Sequence, residues 1–304
     1  MHMGMIGLGR MGGNMARRLG RSGISVRGFS LDALASTDLA SDANITVFNR
    51  IEEMLAAIAH PRVVWMMVPA GAATEENIQM LVKQLTTGDI VVDGGNAHYL
   101  DSQRRGRLLA ASGIGFVDAG VSGGVWGSEQ GYGLMLGGAR EHVDAVLPLI
   151  RILAPAPDKG WVYCGASGSG HFVKMIHNGI EYGLMQAYAE GFSLLAARQD
   201  LELPLAEIAR AWCHGTVIRS WLLELTAEVL ADKTSLESVA AQIADSGEGR
   251  WTAQEAIELG IPTPVISGAL MARFASQGSD DFGARVLAML RNRFGGHALP
   301  RRSP

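Results

Sequence analysis

The fold is decided by residues 3–12, Met-Gly-Met-Ile-Gly-Leu-Gly-Arg-Met-Gly, which lead from a short apolar run into a glycine loop. The last six of them, Gly7-Leu8-Gly9-Arg10-Met11-Gly12, have the spacing G-x-G-x-x-G. In this spacing the first glycine permits a tight turn, and the second lets backbone N–H groups approach a pyrophosphate. The third lets the following helix pack closely on the strand. The stretch therefore predicts a strand, a dinucleotide-binding loop and the start of a helix.

The second predicted strand, 24–29, ends where such domains recognise the adenosine ribose. Ser30 stands there, followed by Leu31 and Asp32, while Arg27 lies inside the strand. A carboxylate at this end would accept a hydrogen bond from the ribose 2′-hydroxyl, and an arginine would favour a 2′-phosphate. Because the sequence offers no evident clamp for a phosphate and Asp32 is close, it favours NAD over NADP. Val68, at the end of another predicted strand, is also predicted to line the cofactor site.

Apolar runs and helical patterns alternate from the start of the chain to about residue 165. This alternation is typical of a mostly parallel sheet covered by helices on both faces. The predicted strands are 3–6, 24–29, 62–68, 90–93, 116–118, 134–136 and 162–164, and the predicted helices lie near 13–22, 52–59, 74–87, 100–112 and 141–153.

After residue 170 the strand patterns stop and helical patterns continue. A glycine-rich stretch, 165–170, precedes a long helical pattern to about residue 198, and Pro204 opens the next one. The sequence thus predicts an α/β Rossmann-type doubly wound domain over 1–168. An all-α domain over 169–304, which includes the C-terminal tail, follows it.

The composition excludes several classes of protein. The 304 residues include 26 Lys+Arg and 30 Asp+Glu, a formal net charge of −4, so a surface for nucleic acid is not expected. Two cysteines, Cys164 and Cys213, are too few for a disulfide framework or a thiolate metal site, and no metal is expected. The chain has no apolar run of about 18 residues and no signal peptide pattern. We expect a cytoplasmic protein without a membrane partner.

One helical segment combines side chains suited to acid–base chemistry. In residues 170–182, Lys174, His177, Asn178, Glu181 and Tyr182 share a stripe about 140° wide at roughly 100° per residue. The alternative is a solvated face with a Lys–Glu pair. Because the remaining faces of this helix are apolar, the stripe favours a helix that lines a substrate cleft.

Two glycine turns in the first domain are predicted to face a ligand. Asp93-Gly94-Gly95-Asn96 ends one strand, and Ser122-Gly123-Gly124 follows another. Such turns lie at the carboxyl ends of the strands of a doubly wound sheet, where ligands bind. Ser122 and the two N–H groups after it could hold a carboxylate.

At these residues the sequence resembles the decarboxylating 6-phosphogluconate dehydrogenases of the pentose phosphate pathway. The resemblance rests on the glycine loop, on D-G-G-N at 93–96, on S-G-G at 122–124 and on G-H-F-V-K-M-I-H-N-G-I-E-Y at 170–182. It spans the whole chain, which looks like a short form of the family without a large helical insertion.

The resemblance implies roles for these residues. Lys174 matches the base that removes the proton of the C3 hydroxyl, and Glu181 matches the acid that protonates C1 of the product. His177 and Asn178 match residues that orient substrate hydroxyls. Ser122, Gly123 and Gly124 match the carboxylate site, and Asn96 matches a residue between nicotinamide and substrate.

At the phosphate end the resemblance implies contacts from Tyr182 and Arg273, and from Arg291 and His297 of a neighbouring subunit. The tail around residues 291–297 resembles the closing motif of the family, so a homodimer or homotetramer with shared sites is implied. Long members have a G-T-G-K-W-T string whose Lys and Thr bind phosphate. Here Ser246 and Glu248 are interpreted as their replacements.

Two other functions compete with this one. A β-hydroxyacid dehydrogenase of the 3-hydroxyisobutyrate type shares the architecture, the S-G-G turn and the lysine, but needs no proton donor at C1. Glu181 and Tyr182 therefore favour decarboxylation. A non-catalytic dinucleotide sensor is disfavoured because Lys174 and Glu181 are both present.

Overall fold

The computed structural model describes residues 2–31 and 41–278, together with the single positions 39, 286, 289 and 293. The chain divides into two compact units, Met1–His177 and Asn178–Pro304. The division lies inside one long helix. The domain limits 1–168 and 169–304 stay a prediction.

The first unit contains an eight-stranded sheet in the order β3-β2-β1-β4-β5-β6-β7-β8. All neighbouring strands are parallel except β6 and β7, which are antiparallel. The strands are β1 (His2–Ile6), β2 (Ser25–Phe29), β3 (Ile45–Phe48), β4 (Val63–Met66), β5 (Ile90–Asp93), β6 (Gly115–Ser122), β7 (Gly133–Gly138) and β8 (Trp161–Gly165).

Helices of the first unit connect these strands, and the following helices form the second unit. The first unit has α1 (Arg10–Arg21), α2 (Ile51–Ala56), α3 (Ala72–Gln84), α4 (Tyr99–Ala110), α5 (Gly127–Gln130) and α6 (Arg140–Leu153). Helix α7 (Ser169–Ala197) crosses the division, and it is followed by α8 (Leu205–Trp212), α9 (Trp221–Ala231), α10 (Lys233–Ser238), α11 (Glu248–Glu258) and α12 (Pro264–Gln277). Single 3-10 turns lie at Gly124–Trp126 and Gln199–Leu201.

Both faces of the sheet are buried. Met5, Trp65 and Val92 belong to an apolar cluster on one side, and their neighbours Met66 and Val91 belong to the cluster on the other. Consecutive side chains of a strand point to opposite faces, so these strands are apolar on both. Each such side chain contributes about 1.5–3 kcal/mol of burial free energy. The doubly wound α/β fold is confirmed.

Strand β1 lies at the centre of the connectivity. Its two neighbours are β2 and β4, because the chain first winds to β3 and then returns to the other side of β1. Ligands of doubly wound sheets bind at the carboxyl ends of the strands where the winding reverses. The loops after β1 and β4 therefore mark the expected binding edge.

The strand Ile45–Phe48 at the sheet edge was not among the predicted strands. It has four residues and pairs only with β2 among the described residues. Asn44, just before it, has φ +65° and donates from its side chain to the carbonyl oxygen of Gly20. The alternation Ile-Thr-Val-Phe was a usable signal, but its period-2 pattern was too short to stand out. In the second unit the described residues form helices and no strand, as predicted.

Candidate active site

The three glycines of the first loop are required for different reasons. Gly7 has φ +90°, and a β-carbon there would meet the carbonyl of Met67. A β-carbon on Gly12 would overlap the carbonyl oxygen of Gly7, so α1 could not start so close to β1. A β-carbon on Gly9 would meet nothing within 4 Å. Gly9 therefore leaves open the place where a pyrophosphate approaches the backbone.

A cleft of about 810 Å³ lies over this loop, within the size range of small-molecule sites. It is open along the loops after β1 and β4, at the edge that the strand order indicates. Its lining includes most residues predicted to bind the cofactor: Gly7, Gly9, Arg10, Met11, Gly12, Ser30, Val68 and Asn96. Leu8 does not line it, because its side chain is buried against Gly28 of β2. The cleft and open Gly9 fit a nicotinamide dinucleotide.

The end of β2 has the surroundings expected for the ribose. Ser30 lines the cleft and Leu31 is almost fully exposed. Arg27 donates to the hydroxyl of Thr46 on β3, at 2.5 Å, so its guanidinium is engaged along the sheet. Asp32 lies outside the described residues.

The turn Asp93-Gly94-Gly95-Asn96 follows β5 beside the cleft. A β-carbon on Gly94 would overlap the Trp65 indole, and one on Gly95 would come 2.5 Å from the carbonyl oxygen of Val68. The two glycines thus let the turn lie against the end of β4. Asn96 is exposed and lines the cleft.

The S-G-G turn begins at the last residue of β6, Ser122. Gly123 has φ +126° and Gly124 has φ +53°, which favours glycine at both positions. Gly124 also lines the cleft. The turn therefore lies at the same end of the sheet as the glycine loop and Asn96.

Helix α7 is attached to β6 by a buried carboxylate. The Asp118 oxygens accept hydrogen bonds from the backbone N–H groups of Gly168 at 2.7 Å and His171 at 2.9 Å. A carboxylate at a helix N-terminus satisfies amides that lack intrahelical partners. A β-carbon on Gly120 would overlap the Cβ of Lys174, so the helix lies directly on the strand. Lys174 is 7% exposed.

The polar stripe of α7 is largely covered, which argues against a solvated face. Lys174, Asn178 and Tyr182 are buried, and His177 and Glu181 are half-buried. A solvated face would have exposed all five. The exposed large side chains near the stripe are instead apolar: Val173, Ile180 and Leu184.

In the second unit, Tyr182 meets two of the residues discussed for the phosphate. Its hydroxyl is 3.2 Å from the hydroxyl of Ser246, which donates to the carboxylate of Glu248 at 2.5 Å. The guanidinium of Arg273 lies over its ring, 3.5 Å from the centroid, a cation–π contact. Glu248 is buried at the start of α11, where a carboxylate is favoured.

The interpretation of Ser246 and Glu248 as replacements of Lys and Thr is wrong in register. Matching the glycines of G-T-G-K-W-T to Gly247 and Gly249 puts Arg250 at the lysine and Thr252 at the last threonine. The cationic position is therefore kept, and only the first threonine changes, to Glu248. Arg250 pairs with Asp245 at 2.6 Å. Arg291 and His297 lie outside the described residues.

Sequence reasoning assigned no role to several buried polar residues around the start of α7. Asp118 was seen only as a strand residue, and His171 only as a letter of the long motif. Their partners, such as Ser102, come from distant parts of the chain. Among the described residues no group of three or more His, Cys, Asp or Glu could hold a metal ion, and no described helix could span a membrane.

The fold and cleft define a dinucleotide-binding domain joined to a helical domain, and comparisons with known proteins extend this class. Residues 2–165 match the family model described as the NAD binding domain of 6-phosphogluconate dehydrogenase. Residues 170–292 match the 6-phosphogluconate dehydrogenase C-terminal domain. The chain belongs to the 6-phosphogluconate dehydrogenase family.

The similar proteins include short and long members. The NAD(+)-dependent, decarboxylating 6-phosphogluconate dehydrogenase of Haloferax volcanii is 42% identical over 304 residues, 99% of each chain. The Plasmodium falciparum 6-phosphogluconate dehydrogenase structure has a TM-score of 0.84 at 28% identity, covering 100% of this chain and 67% of that one. Mycobacterium tuberculosis 3-hydroxyisobutyrate dehydrogenase, at 23% identity and a TM-score of 0.72 over 95% of this chain and 99% of that one, shares the fold.

Proposed function

We propose that this chain oxidises 6-phosphogluconate at C3 and decarboxylates it to ribulose 5-phosphate and CO2, with reduction of NAD(P). The observation that carries the proposal is the position of Lys174. Lys174 is buried on α7 and packs directly on Gly120 of β6. Gly120 itself lies two residues before Ser122, the first residue of the S-G-G turn. Both domains match this family, which supports it over the 3-hydroxyisobutyrate alternative.

In the oxidation step Lys174 acts as the general base. Its neutral amine takes the proton of the C3 hydroxyl as the hydride leaves C3. Bound in the cleft, the nicotinamide dinucleotide supplies the hydride acceptor. The backbone of the glycine loop around Gly9 would hold its pyrophosphate, and Asn96, which lines the cleft, would bind where the cofactor meets the substrate.

In the decarboxylation step the C1–C2 bond of the 3-keto acid breaks, and its electrons form the enediol. The Lys174 ammonium returns its proton to the C3 oxygen, which stabilises the developing charge. Glu181, two turns further along α7, protonates the carbon that becomes C1 of ribulose 5-phosphate. His177 and Asn178 orient the hydroxyls, and Ser122, Gly123 and Gly124 hold the carboxylate before it leaves.

The phosphate of the substrate is held in the second unit. Tyr182 and Arg273 bind the phosphate there. Arg250 and Thr252 bind it as well, because they occupy the positions of the lysine and the last threonine in the string G-T-G-K-W-T. An arginine fork suits a phosphate because it donates two hydrogen bonds together.

The cofactor is NAD in preference to NADP. Arg27 is engaged with Thr46, so it supplies no clamp for a 2′-phosphate, and Ser30 is neutral. The Haloferax volcanii relative, named as NAD(+)-dependent, supports this preference. The proposed location is the cytoplasm.

The working unit is a homo-oligomer in which Arg291 and His297 complete the phosphate site of a neighbour. The exposed apolar side chains Val173, Ile180 and Leu184 of α7 support burial against a second copy. A Lys174→Met subunit and a subunit truncated before Arg291 should each be inactive. Mixed dimers should regain one working site of two. Absence of recovery in verified hybrids would contradict the shared site.

Two measurements test the reaction. Absorbance at 340 nm should rise with 6-phosphogluconate and NAD, but not with 3-hydroxyisobutyrate. Glu181→Gln should slow solvent-deuterium exchange at C1 of ribulose 5-phosphate, whereas the exposed Glu190→Gln on the same helix should not. Unchanged exchange in Glu181→Gln would remove the proposed acid.

A further inference from the structure

A buried polar cluster connects the turn after β5 to the start of α7. It consists of Asp93, Ser102, Arg105 and His171, all at most 2% exposed. Ser102 and Arg105 lie one turn apart on α4, Asp93 ends β5, and His171 lies one turn before Lys174. All belong to the first unit. The cluster therefore joins the element that presents Asn96 to the helix that carries Lys174.

Each contact of the cluster is short. Nδ1 of His171 lies 2.6 Å from the hydroxyl of Ser102, and Arg105 donates to Asp93 at 3.0 Å. Arg105 also donates to Glu75 of α3 at 2.6 Å. His171 is thus held by α4 through its side chain and by Asp118 of β6 through its backbone N–H.

One ring nitrogen of His171 is buried without a hydrogen-bond partner. A residue that served only to fill apolar space would not need this nitrogen. Whichever ring nitrogen carries the proton, Nε2 is buried and has no hydrogen-bond partner. An unpaired buried polar atom destabilises the folded state, so a leucine of similar volume would be the more stable choice. Burial raises the pKa of Asp93, while the nearby His171 and Arg105 oppose that shift.

We propose that His171 is a positioning residue that sets the distance between Asn96 and Lys174 by holding the start of α7 against α4. The argument rests on the proposed function, in which Lys174 is the base. A displacement of about 1 Å at a reacting group can reduce turnover about 100-fold. The contacts that fix His171 are with Ser102 on α4, through Nδ1, and with Asp118 on β6, through the backbone N–H.

The test compares His171→Leu, His171→Asn and Ser102→Ala. His171→Leu should lower kcat about 10- to 100-fold while the Kd for NAD, followed by protein fluorescence, stays within about twofold. An asparagine amide can replace Nδ1, so His171→Asn should recover most of the lost kcat. Ser102→Ala removes the partner without changing the histidine, and should lower kcat in the same direction. The exposed His214→Leu serves as the matched control.

Three outcomes would overturn the proposal: wild-type kcat in His171→Leu, equal kcat in His171→Asn and His171→Leu, or a loss of NAD affinity parallel to kcat. The last two would indicate a purely structural role. If His171→Leu misfolds, kcat and the Kd for NAD of Ser102→Ala and His171→Asn test the proposal instead. The wild-type enzyme and Lys174→Met, assayed in parallel, separate the proposals. Absence of 6-phosphogluconate turnover in the wild type refutes the function, and an active Lys174→Met enzyme refutes only the role of Lys174 as the base.

Discussion

Gly120 of β6 and Lys174 of α7 are in direct contact, since a β-carbon on the glycine would overlap the Cβ of the lysine. The missing side chain lets a long helix lie on the sheet with its backbone close to the strand. Gly120 precedes Ser122 by two residues on the same strand, so one close approach brings Lys174, the proposed base, and the S-G-G turn to one end of β6. Asp118, two residues earlier, binds the start of the same helix. Strand β6 therefore holds the start of α7 through Asp118 and contacts the helix again at Lys174 through Gly120.

Replacement of the base should abolish turnover without unfolding the protein. Lys174→Met keeps the length of the side chain and its packing on Gly120 but removes the amine. We expect kcat to fall about 10²–10⁴-fold, the usual contribution of general acid–base catalysis. Absorbance at 340 nm and NAD binding by fluorescence measure both effects. Lys83→Met, at an exposed position of α3, is the control and should keep full activity.

The glycines of the first loop should respond differently to alanine. Gly9→Ala should fold with a melting temperature near that of the wild type, because its β-carbon would meet no atom. It should bind NAD at least about tenfold more weakly, because the methyl group occupies the place of the pyrophosphate. Gly12→Ala should lose about 3 kcal/mol of stability, because its β-carbon overlaps the carbonyl oxygen of Gly7. Thermal unfolding and calorimetric titration with NAD distinguish the two, and equal melting temperatures would contradict the assignment.

A carboxylate at the end of β2 should sharpen the choice of cofactor. Ser30→Asp should depress kcat/KM for NADP about tenfold or more relative to NAD, because it repels the 2′-phosphate and accepts from the 2′-hydroxyl. Steady-state rates with both cofactors give the ratio. Ser112→Asp, at an exposed residue outside the cleft lining, should leave the ratio unchanged. An equal response to both cofactors in Ser30→Asp would show that the ribose lies elsewhere.

Asp89 should make stability depend on pH in the acid range. Burial acts to raise its pKa, but hydrogen bonds from the backbone N–H groups of Arg62 at 2.6 Å and Thr86 at 3.0 Å prevail and lower it from 3.8. A lowered folded-state pKa gives stability that is complete above the unfolded-state value and disappears as pH falls through the folded-state value. Asp89→Asn should therefore cost about 2 kcal/mol at pH 7, and its difference from the wild type should shrink below about pH 4. Urea unfolding at several pH values measures this difference, with the exposed Asp158→Asn as control. If the difference in unfolding free energy between the wild type and Asp89→Asn is the same at every pH, the lowered pKa of Asp89 does not contribute to stability.

Local pattern was sufficient for much of this protein. The glycine spacing at 7–12, the alternation of strands and helices and the later helical periodicity predicted both domain types, because each depends on residues within one turn or one strand. The predicted strand 90–93 has the observed bounds, and the short strand at 45–48 was missed. The polar stripe of α7 was also readable, since helical spacing alone places its members on one side.

Tertiary structure alone decided which of these patterns are buried and what holds them. The sequence left open whether Lys174 lies in water, and packing on Gly120 excludes water from its stem. No periodicity links Asp118 to Gly168, or Ser102 to His171, because hydrogen bonds between residues 50 or more apart depend on how strands and helices are brought together. The sequence determines the elements of this protein and their order, because local propensity and hydrophobic period act within each segment. The environment of its functional groups depends on the close approach of distant segments, and only the folded chain provides that.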